Sequence, residues 1–550
     1  MERKFKIFVL QKIKKKHYLF LILFLFGIFL FLSSQHCQRR NSPDKFILIT
    51  LDTQRADFVS AYSPQNASTP HVDDLAQKGT LFENCWSLIP ITLPSHASIF
   101  FSEPPHRVKN YNNGQIIRAK RTRPSFVKIF KINGFTTAAF VSLGVLRSAF
   151  GLNEDFDIYR DDFPPGRWYL SAEEVNKNVF PWLEQNKDNK FFLWIHYSDP
   201  HEPYAPPYFP NDFKLFLNSK LITELCLSKY TTNEVDLNLK KGRNELRLEV
   251  ENKYVENPDH FRARFDKLDF FPPPDQKDLK VDFSRGWFIR RDDNVFFFRT
   301  NSYIDIDNNA NFQHLKLIFR GKPILPVEGS RENYKKEVEY MDGEIGKLWD
   351  KLKELNLVEN TAILVVGDHG EGLGEYNSQF GDRHIGHIHF LYNVYMKVPL
   401  IIYNPFVSQK GMRKSEPVTL LDIAPTIIKL MGFKKLSSFQ GRNILRLKRG
   451  ENLAIYEETY RPESVRNRFA LLHYPWHLLF TPEENKFELF DLRKDPEEKE
   501  NTYQEKNLSA ELIKFKSKLE SFAREVLKGK EEIKIDKRTE EMMRALGYIR

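Results

Sequence analysis

The sequence predicts an α/β protein: a mostly parallel β-sheet flanked by helices, interrupted by a β-rich insertion and followed by a small α+β subdomain. Three observations predict it. Short apolar runs end repeatedly at an acid or a histidine, and helical repeats lie between them. Residues 211–330 replace that rhythm with period-two alternation.

The amino end is read first. The chain has 550 residues, and at roughly 150 residues per domain this allows about two to four domains. Its formal net charge is +10. Seven basic residues and one acid before residue 17 supply +6 of that, leaving +4 for everything after them. The excess belongs to a terminal segment, so nucleic acid is not expected as a partner. Tyr18–Leu32 follows as an uncharged apolar run, between the ~20 residues of a spanning helix and the ~7–15 of a signal-peptide core. No small-x-small cleavage site succeeds it, so residues 1–40 read as a cytoplasmic basic tail and an uncleaved membrane anchor. The basic flank then orients the remaining chain outside the cytoplasm.

Phe46–Leu51 is an apolar run ending at Asp52, the pattern of a buried parallel strand. Thr137–Ser142, Phe191–His196 and Ala362–Val366 repeat it, the last ending near Asp368. Arg123–Asn133 and Tyr334–Leu355 have helical character; in the second, Val338, Met341, Ile345, Leu348 and Leu352 recur at helical spacing. The catalytic unit is thus expected in two parts, residues 41–210 and 331–405. Ligands of such sheets bind just past the carboxyl ends of strands, where Asp52, His196 and Asp368 stand.

Within residues 211–330, Val235–Leu239 and Glu245–Val250 alternate on either side of a glycine turn, which predicts a hairpin. The Asp305–Asn309 run reads as a solvated turn in preference to a calcium loop. Residues 406–550 mix short strands with an amphipathic helix near 508–528 and form the carboxyl-terminal subdomain. The three cysteines, Cys37, Cys85 and Cys226, cannot make a disulfide framework, and Cys85 reads as a buried small hydrophobe.

Chemistry needs polar groups that converge from several strand ends. Asp368-His369-Gly370-Glu371-Gly372 offers a hard oxygen and an imidazole together, which suits a divalent cation. His196 through Tyr204 crowds two histidines, His196 and His201, and Asp199 into six residues. Thr92-Leu-Pro-Ser-His96 is a hydroxyl-bearing turn before a helix start, in which Ser95 taken alone reads as a cap.

Together these blocks resemble the sulfatase family of the alkaline phosphatase superfamily. The resemblance is carried by Ile47–Asp57, Thr92–Ser98, Asp199–Tyr204, Gly367–Glu375, Lys397–Ile401, Leu421–Thr426, Glu488–Leu492 with Asp495-Pro496, and Arg544–Tyr548, in family order. It implies an alkaline-phosphatase-like sheet. It also implies that Asp52, Thr92, Asp368 and His369 bind a divalent metal and that Thr92 stands at the nucleophile position. His201 matches a substrate-binding or acid histidine, and His389 the late basic residue that meets the ester anion or a second metal. His387 and His384 compete with His389 for that place. His96 and His196 are expected at the substrate.

The sequence also departs from the family. Typical sulfatases carry a cysteine or serine, matured to formylglycine, where Thr92 stands; no formylglycine is expected here. Thr53 replaces a second aspartate, His96 replaces an arginine, and Val141-Ser-Leu-Gly144 stands near a missing Lys-His element. A threonine hydroxyl activated by a metal can attack an anionic phosphorus or sulfur centre, but the intermediate must be cleared by water or an acceptor alcohol. The first reading is therefore a metal-dependent hydrolase of sulfate or phosphate esters. The alternatives are a membrane-anchored transferase of the phosphoethanolamine type acting on a lipid or glycan, and a catalytically silent relative that binds a glycan. The histidine-containing ligand set favours zinc or manganese over calcium.

Overall fold

The computed structural model describes residues 42–117, 124–164, 167–202, 204, 213–225, 227, 232–250, 262–274, 279–290, 295–309, 312–323, 327–377, 383–406, 410–460, 466–529 and 537–545. Tyr18–Leu32, Cys37 and Cys226 lie outside them. No helix among the described residues is long and apolar enough to cross a membrane.

Strand β1 (Lys45–Leu51) lies inside an eight-stranded sheet and is buried at every position. Its sidedness explains the unbroken apolar run. Phe46 and Leu48 face one hydrophobic core, and Ile47 and Ile49 face another, so both faces of the sheet are covered. The sheet also holds β2 (Thr80–Phe82), β3 (Thr136–Phe140), β4 (Ile158–Arg160), β5 (Phe191–Tyr197), β6 (Thr361–Gly367), β7 (Leu400–Tyr403) and β8 (Met412–Lys414). Their order is β8-β2-β7-β6-β1-β5-β3-β4. Every neighbouring pair is parallel except those of β7, which is antiparallel to both β6 and β2. Leu51 sits opposite both Gly367 and Tyr197, so Asp52, Asp368 and the segment after β5 emerge together at one sheet edge.

Helices α1 (Pro70–Lys78), α3 (Ala172–Asn186) and α4 (Val327–Glu354) cover the face of Ile47 and Ile49. Helices α2 (Thr92–Phe101) and α5 (Ile423–Leu430) cover the other. Met341, Ile345, Leu348 and Leu352 of α4 point into the core as their spacing requires, although the helix starts at Val327, earlier than the apolar repeat. The helix expected over 123–133 is shorter, Val127–Ile132.

The segment after β5 forms a second eight-stranded sheet, from Phe213–Leu217 to His314–Pro323, around its own core of Phe213, Leu237, Leu246, Phe265, Ile304 and Phe319. The hairpin expected here does not form. Asn233–Asn238 pairs with His314–Pro323, whereas Gly242–Val250 pairs with Phe213–Leu217 and Val295–Asn308. Both alternating runs bury their apolar residues in the same core from different parts of the sheet, and the link between them is an arch. Asn244 fastens it, accepting from the Lys240 amide and donating to the Lys240 carbonyl, to which Asn308 also donates. Asp305 and Asp307 lie within strand Val295–Asn308, not in a turn, and Arg243 pairs with Asp305 at 3.2 Å.

At the carboxyl end, strands Ile455–Thr459, Arg468–His473, Trp476–Thr481 and Lys486–Asp491 form an antiparallel sheet. One face packs on helix α6 (Ala510–Gly529) through Phe469, Leu471, Phe515 and Leu519. The other packs, through Ala470, Leu472, Leu479 and Phe490, against Leu391, Tyr392 and Tyr395.

Candidate active site

Asp52, Asp368 and His369 converge past the ends of β1 and β6, with ligand atoms all within 4.8 Å of one another and no solvent exposure. Thr92, the first residue of α2, joins them: its Oγ1 lies 3.3 Å from His369 Nε2 and 3.5 Å from Asp52 Oδ1. His369 Nδ1 is 2.9 Å from the Gly370 carbonyl, and donation there fixes the tautomer that turns a lone pair on Nε2 into the cluster. Asp368 Oδ1 accepts from the amides of Thr53 (3.1 Å) and His369 (2.7 Å). Its Oδ2 is buried with no hydrogen-bond partner, and lies 3.5 Å from His369 Nε2.

Burial, reinforced by the Asp52 charge, raises the Asp368 carboxyl well above its ordinary value. Burial also lowers His369 and His196 to about 3, with His387 adding to the effect on His369. Neutral imidazole beside crowded carboxylate oxygen is the electrostatic character of a cation site, and an orphaned buried carboxylate oxygen is what a cation would satisfy. The residues present fit a divalent metal.

The remaining histidines are distributed around this centre. His196, near the end of β5, has Nε2 at 3.4 Å from Asp52 Oδ2 and Nδ1 at 2.9 Å from Ser142 Oγ. His96 lies one turn into α2, where Nδ1 meets the Thr92 carbonyl at 2.8 Å and Nε2 meets Thr50 Oγ1 at 3.0 Å. The His201 ring stands 5.1 Å from that of His387, which in turn is 4.6 Å from His369. His389 instead has its ring 5.0 Å from His384, and His384 Nδ1 is 2.9 Å from the Tyr395 hydroxyl. Of the three late histidines, His387 is the one in ring contact with the cluster.

The roles of Glu371, Tyr204 and Asn113 escaped the sequence reading. Glu371 holds His387 Nδ1 at 2.8 Å through one oxygen and accepts the Tyr204 hydroxyl on the other. Burial raises Glu371 well above the carboxylate range, against the Tyr204 hydrogen bond, and lowers His387 to about 4. Asn113 Oδ1 accepts the Leu93 amide at 2.9 Å and so caps the first turn of α2, which carries Thr92. Ser95 is not the cap; its hydroxyl lies 2.8 Å from the Ile89 carbonyl and 3.0 Å from that of Asp368, tying α2 to the loop after β6. Glu371 and Tyr204 stand in the runs Asp368–Gly372 and Asp199–Tyr204, but neither run shows that the two side chains meet.

The sulfatase family description matches residues 44–433, and that of the N-sulphoglucosamine sulphohydrolase carboxyl-terminal region matches 382–525. The chain is 22% identical over 501 residues to an N-acetylglucosamine-6-O-sulfatase of Bacteroides thetaiotaomicron, covering 83% of this chain and 82% of that one. It is 23% identical over 476 residues to the iduronate 2-sulfatase of Homo sapiens, covering 78% of each. Among solved structures, one of a protein in complex with its substrate D-glucosamine-2-N,6-O-disulfate superposes with a TM-score of 0.57 at 16% identity, over 89% of this chain and 100% of that one. The phosphonate monoester hydrolase of Agrobacterium radiobacter gives 0.56 at 15% identity, over 88% and 96%. With the family matched over most of its length and an alkaline-phosphatase-like α/β fold beneath it, the chain belongs to the sulfatase family of ester hydrolases.

Proposed function

We propose that this protein is a metal-dependent hydrolase of a sulfate or phosphate ester with Thr92 as its nucleophile. One observation carries the reading: the Thr92 hydroxyl is placed at the head of a buried helix, within 3.5 Å of both Asp52 and His369. Asp52, Thr92, Asp368 and His369 would hold a divalent cation, zinc or manganese by ligand type, which supplies positive charge at the hydroxyl and at the ester's non-bridging oxygens.

Thr92 Oγ1 forms the new bond to sulfur or phosphorus and gives up its proton, with Asp52 as the nearest carboxylate acceptor. The bond from sulfur or phosphorus to the ester oxygen breaks with its electron pair, and the departing alkoxide takes a proton from His201 or from His387 Nε2, with His387 Nδ1 then taking the proton that burial keeps on Glu371. His387 is preferred to His389, the late basic residue expected at the ester anion or a second metal, because its ring meets His369 and its Nδ1 is held by Glu371. Water then attacks the sulfur or phosphorus of the Thr92 adduct, the bond to Oγ1 breaks, Oγ1 takes back the proton held by Asp52, and sulfate or phosphate leaves. His96 holds the Thr92 carbonyl from behind, and His196 orients Asp52. Threonine has no second hydroxyl to expel sulfate, which favours phosphorus. The relatives, an N-acetylglucosamine-6-O-sulfatase and an iduronate 2-sulfatase, favour a saccharide substrate with a sulfate group.

The test is turnover of nitrophenyl sulfate, phosphate monoester and phosphate diester by the purified, metal-analysed chain, with Thr92→Ala as control. Turnover of either ester class that vanishes in Thr92→Ala is the result expected. Metal bound with no Thr92-dependent turnover would sink the hydrolase reading and leave the transferase or the silent relative. We also infer that the basic tail and Tyr18–Leu32 anchor the protein with its catalytic body outside the cytoplasm. A reporter fused after residue 550 that is active only in the cytoplasm would overturn this.

A further inference from the structure

The peptide that follows His387 is strained. Ile388 has φ +83°, in the left-handed region where a β-branched side chain crowds its own backbone. Its side chain is buried in the main core. Two residues of the carboxyl-terminal sheet bracket the turn. Thr459 Oγ1 donates to the Ile388 carbonyl, and the Arg468 guanidinium donates to the His389 carbonyl. Thr459 and Arg468 are direct partners across neighbouring strands, so the two donors come from one rigid rung of that sheet. The Arg468 guanidinium also lies over the Phe390 ring, 4.3 Å from its centroid. Further along, the Asn393 amide donates to Glu498.

We propose that Thr459 and Arg468 are positioning residues for the active site: they clasp the strained Ile388 turn and thereby keep His387 against His369 and His201. Strained backbone persists only where its surroundings over-determine it. If either carbonyl loses its donor, Ile388 can relax toward negative φ, which rotates the adjoining peptide planes and carries the His387 side chain off Glu371. No described residue of the carboxyl-terminal subdomain belongs to the Asp52–Asp368–His369 cluster, yet on this account the subdomain sets the geometry of the acid. The inference rests on the reading of His387 as a group serving the departing alcohol.

The experiment uses the full chain with paired substitutions. Thr459→Val removes the hydroxyl at nearly constant shape, and Thr459→Ser retains it. Arg468→Met removes the donor while keeping the apolar stem over Phe390, and Arg468→Lys retains a charged donor. Each is assayed on an aryl ester with a good leaving group and one with a poor leaving group, and the His387 imidazole is followed by nitrogen NMR, assigned with His387→Gln. Thr459→Val and Arg468→Met are expected to lower kcat by about ten- to a hundredfold on the poor leaving group, the scale of a misplaced general acid. Loss on the good leaving group is smaller, KM moves less than about threefold, and the conservative changes Thr459→Ser and Arg468→Lys keep most of the rate. An equal loss on both esters, or no loss, overturns the proposal. If the wild type turns over no ester, the functional reading fails separately and the imidazole decides: a His387 signal shifted in Thr459→Val and restored in Thr459→Ser sustains the clasp, and an unshifted signal overturns it.

Discussion

Nδ1 of His387 lies 2.8 Å from Oε2 of Glu371, and both side chains are buried. The pair unites a histidine from the 383–393 segment with an acid from the loop after β6, and Tyr204 closes the arrangement on the far oxygen. Replacing Glu371 by Gln keeps the shape and a hydrogen bond to His387 but leaves no proton to pass to Nδ1. The expected outcome is a kcat about ten- to a hundredfold lower on esters with poor leaving groups, with metal content unchanged. Steady-state kinetics beside elemental analysis checks both halves.

Thr92→Ala is expected to lose turnover, whereas Thr92→Ser retains a measurable fraction because the hydroxyl survives. Mass spectrometry of the quenched protein checks the chemistry: an adduct on the peptide containing residue 92, absent in Thr92→Ala, is the expected result.

Asp368→Asn removes one carboxylate charge from the cluster and is expected to lower bound metal below stoichiometric. A chelator is expected to lower the Tm of the wild type, and added zinc or manganese to restore it. Ligand at a hundredfold excess over its Kd stabilises by about 2.7 kcal/mol, enough to read calorimetrically. The same Tm with and without chelator, in protein first shown to contain metal, would contradict this.

His477 is fully buried between Glu498, 2.5 Å from Nδ1, and Glu457, 3.2 Å from Nε2. Burial alone lowers the imidazole, but the two carboxylates overcome it and push the value up to about 10. Because the folded value lies above the unfolded one, the stabilisation is complete below about pH 6.5 and is lost as pH rises through about 10. The gap in Tm between wild type and His477→Gln is therefore expected to be large at about pH 6–7 and to shrink toward about pH 10.5.

Asp342 of α4 accepts the amides of His71 (3.1 Å) and Val72 (2.9 Å), capping α1 from another helix, since its own Thr69 makes no side-chain cap bond. Asp342→Ala is expected to destabilise the fold by about 1–2 kcal/mol, as loss of a helix cap does. Denaturant unfolding measures this, and Asp342→Asn, which keeps an acceptor, should recover part of it.

The parts of the site legible in the sequence are those that a strand delivers. Burial on both faces writes β1 and β6 as unbroken apolar runs, so Asp52 and Asp368 announce themselves as the first polar residues beyond. The Tyr204–Glu371–His387 arrangement had no such mark, because its members come from separate segments and meet only in three dimensions. Choosing between His387 and His389 was equally illegible. The two differ by a peptide whose direction is set by a left-handed isoleucine, a residue type that gives no warning of that conformation. In the insertion, alternation marked the strands Asn233–Asn238 and Gly242–Val250 but said nothing of which strands pair, and there the hairpin expectation failed.

The separation between Thr53 and Asp368, whose hydrogen bond ties two ligand loops together, is 315 residues. The pairing of β1 with β6 closes a loop of comparable length, and its entropy must be offset before the sheet gains its central contact. A ribosome has therefore to release roughly two thirds of the chain before Asp52, Asp368 and His369 can meet. The insertion, with a core of its own, can fold in the interval. Truncation anywhere before β6 leaves a first half with an open strand edge at β1, and that exposed edge is where aggregation of incomplete chains would begin.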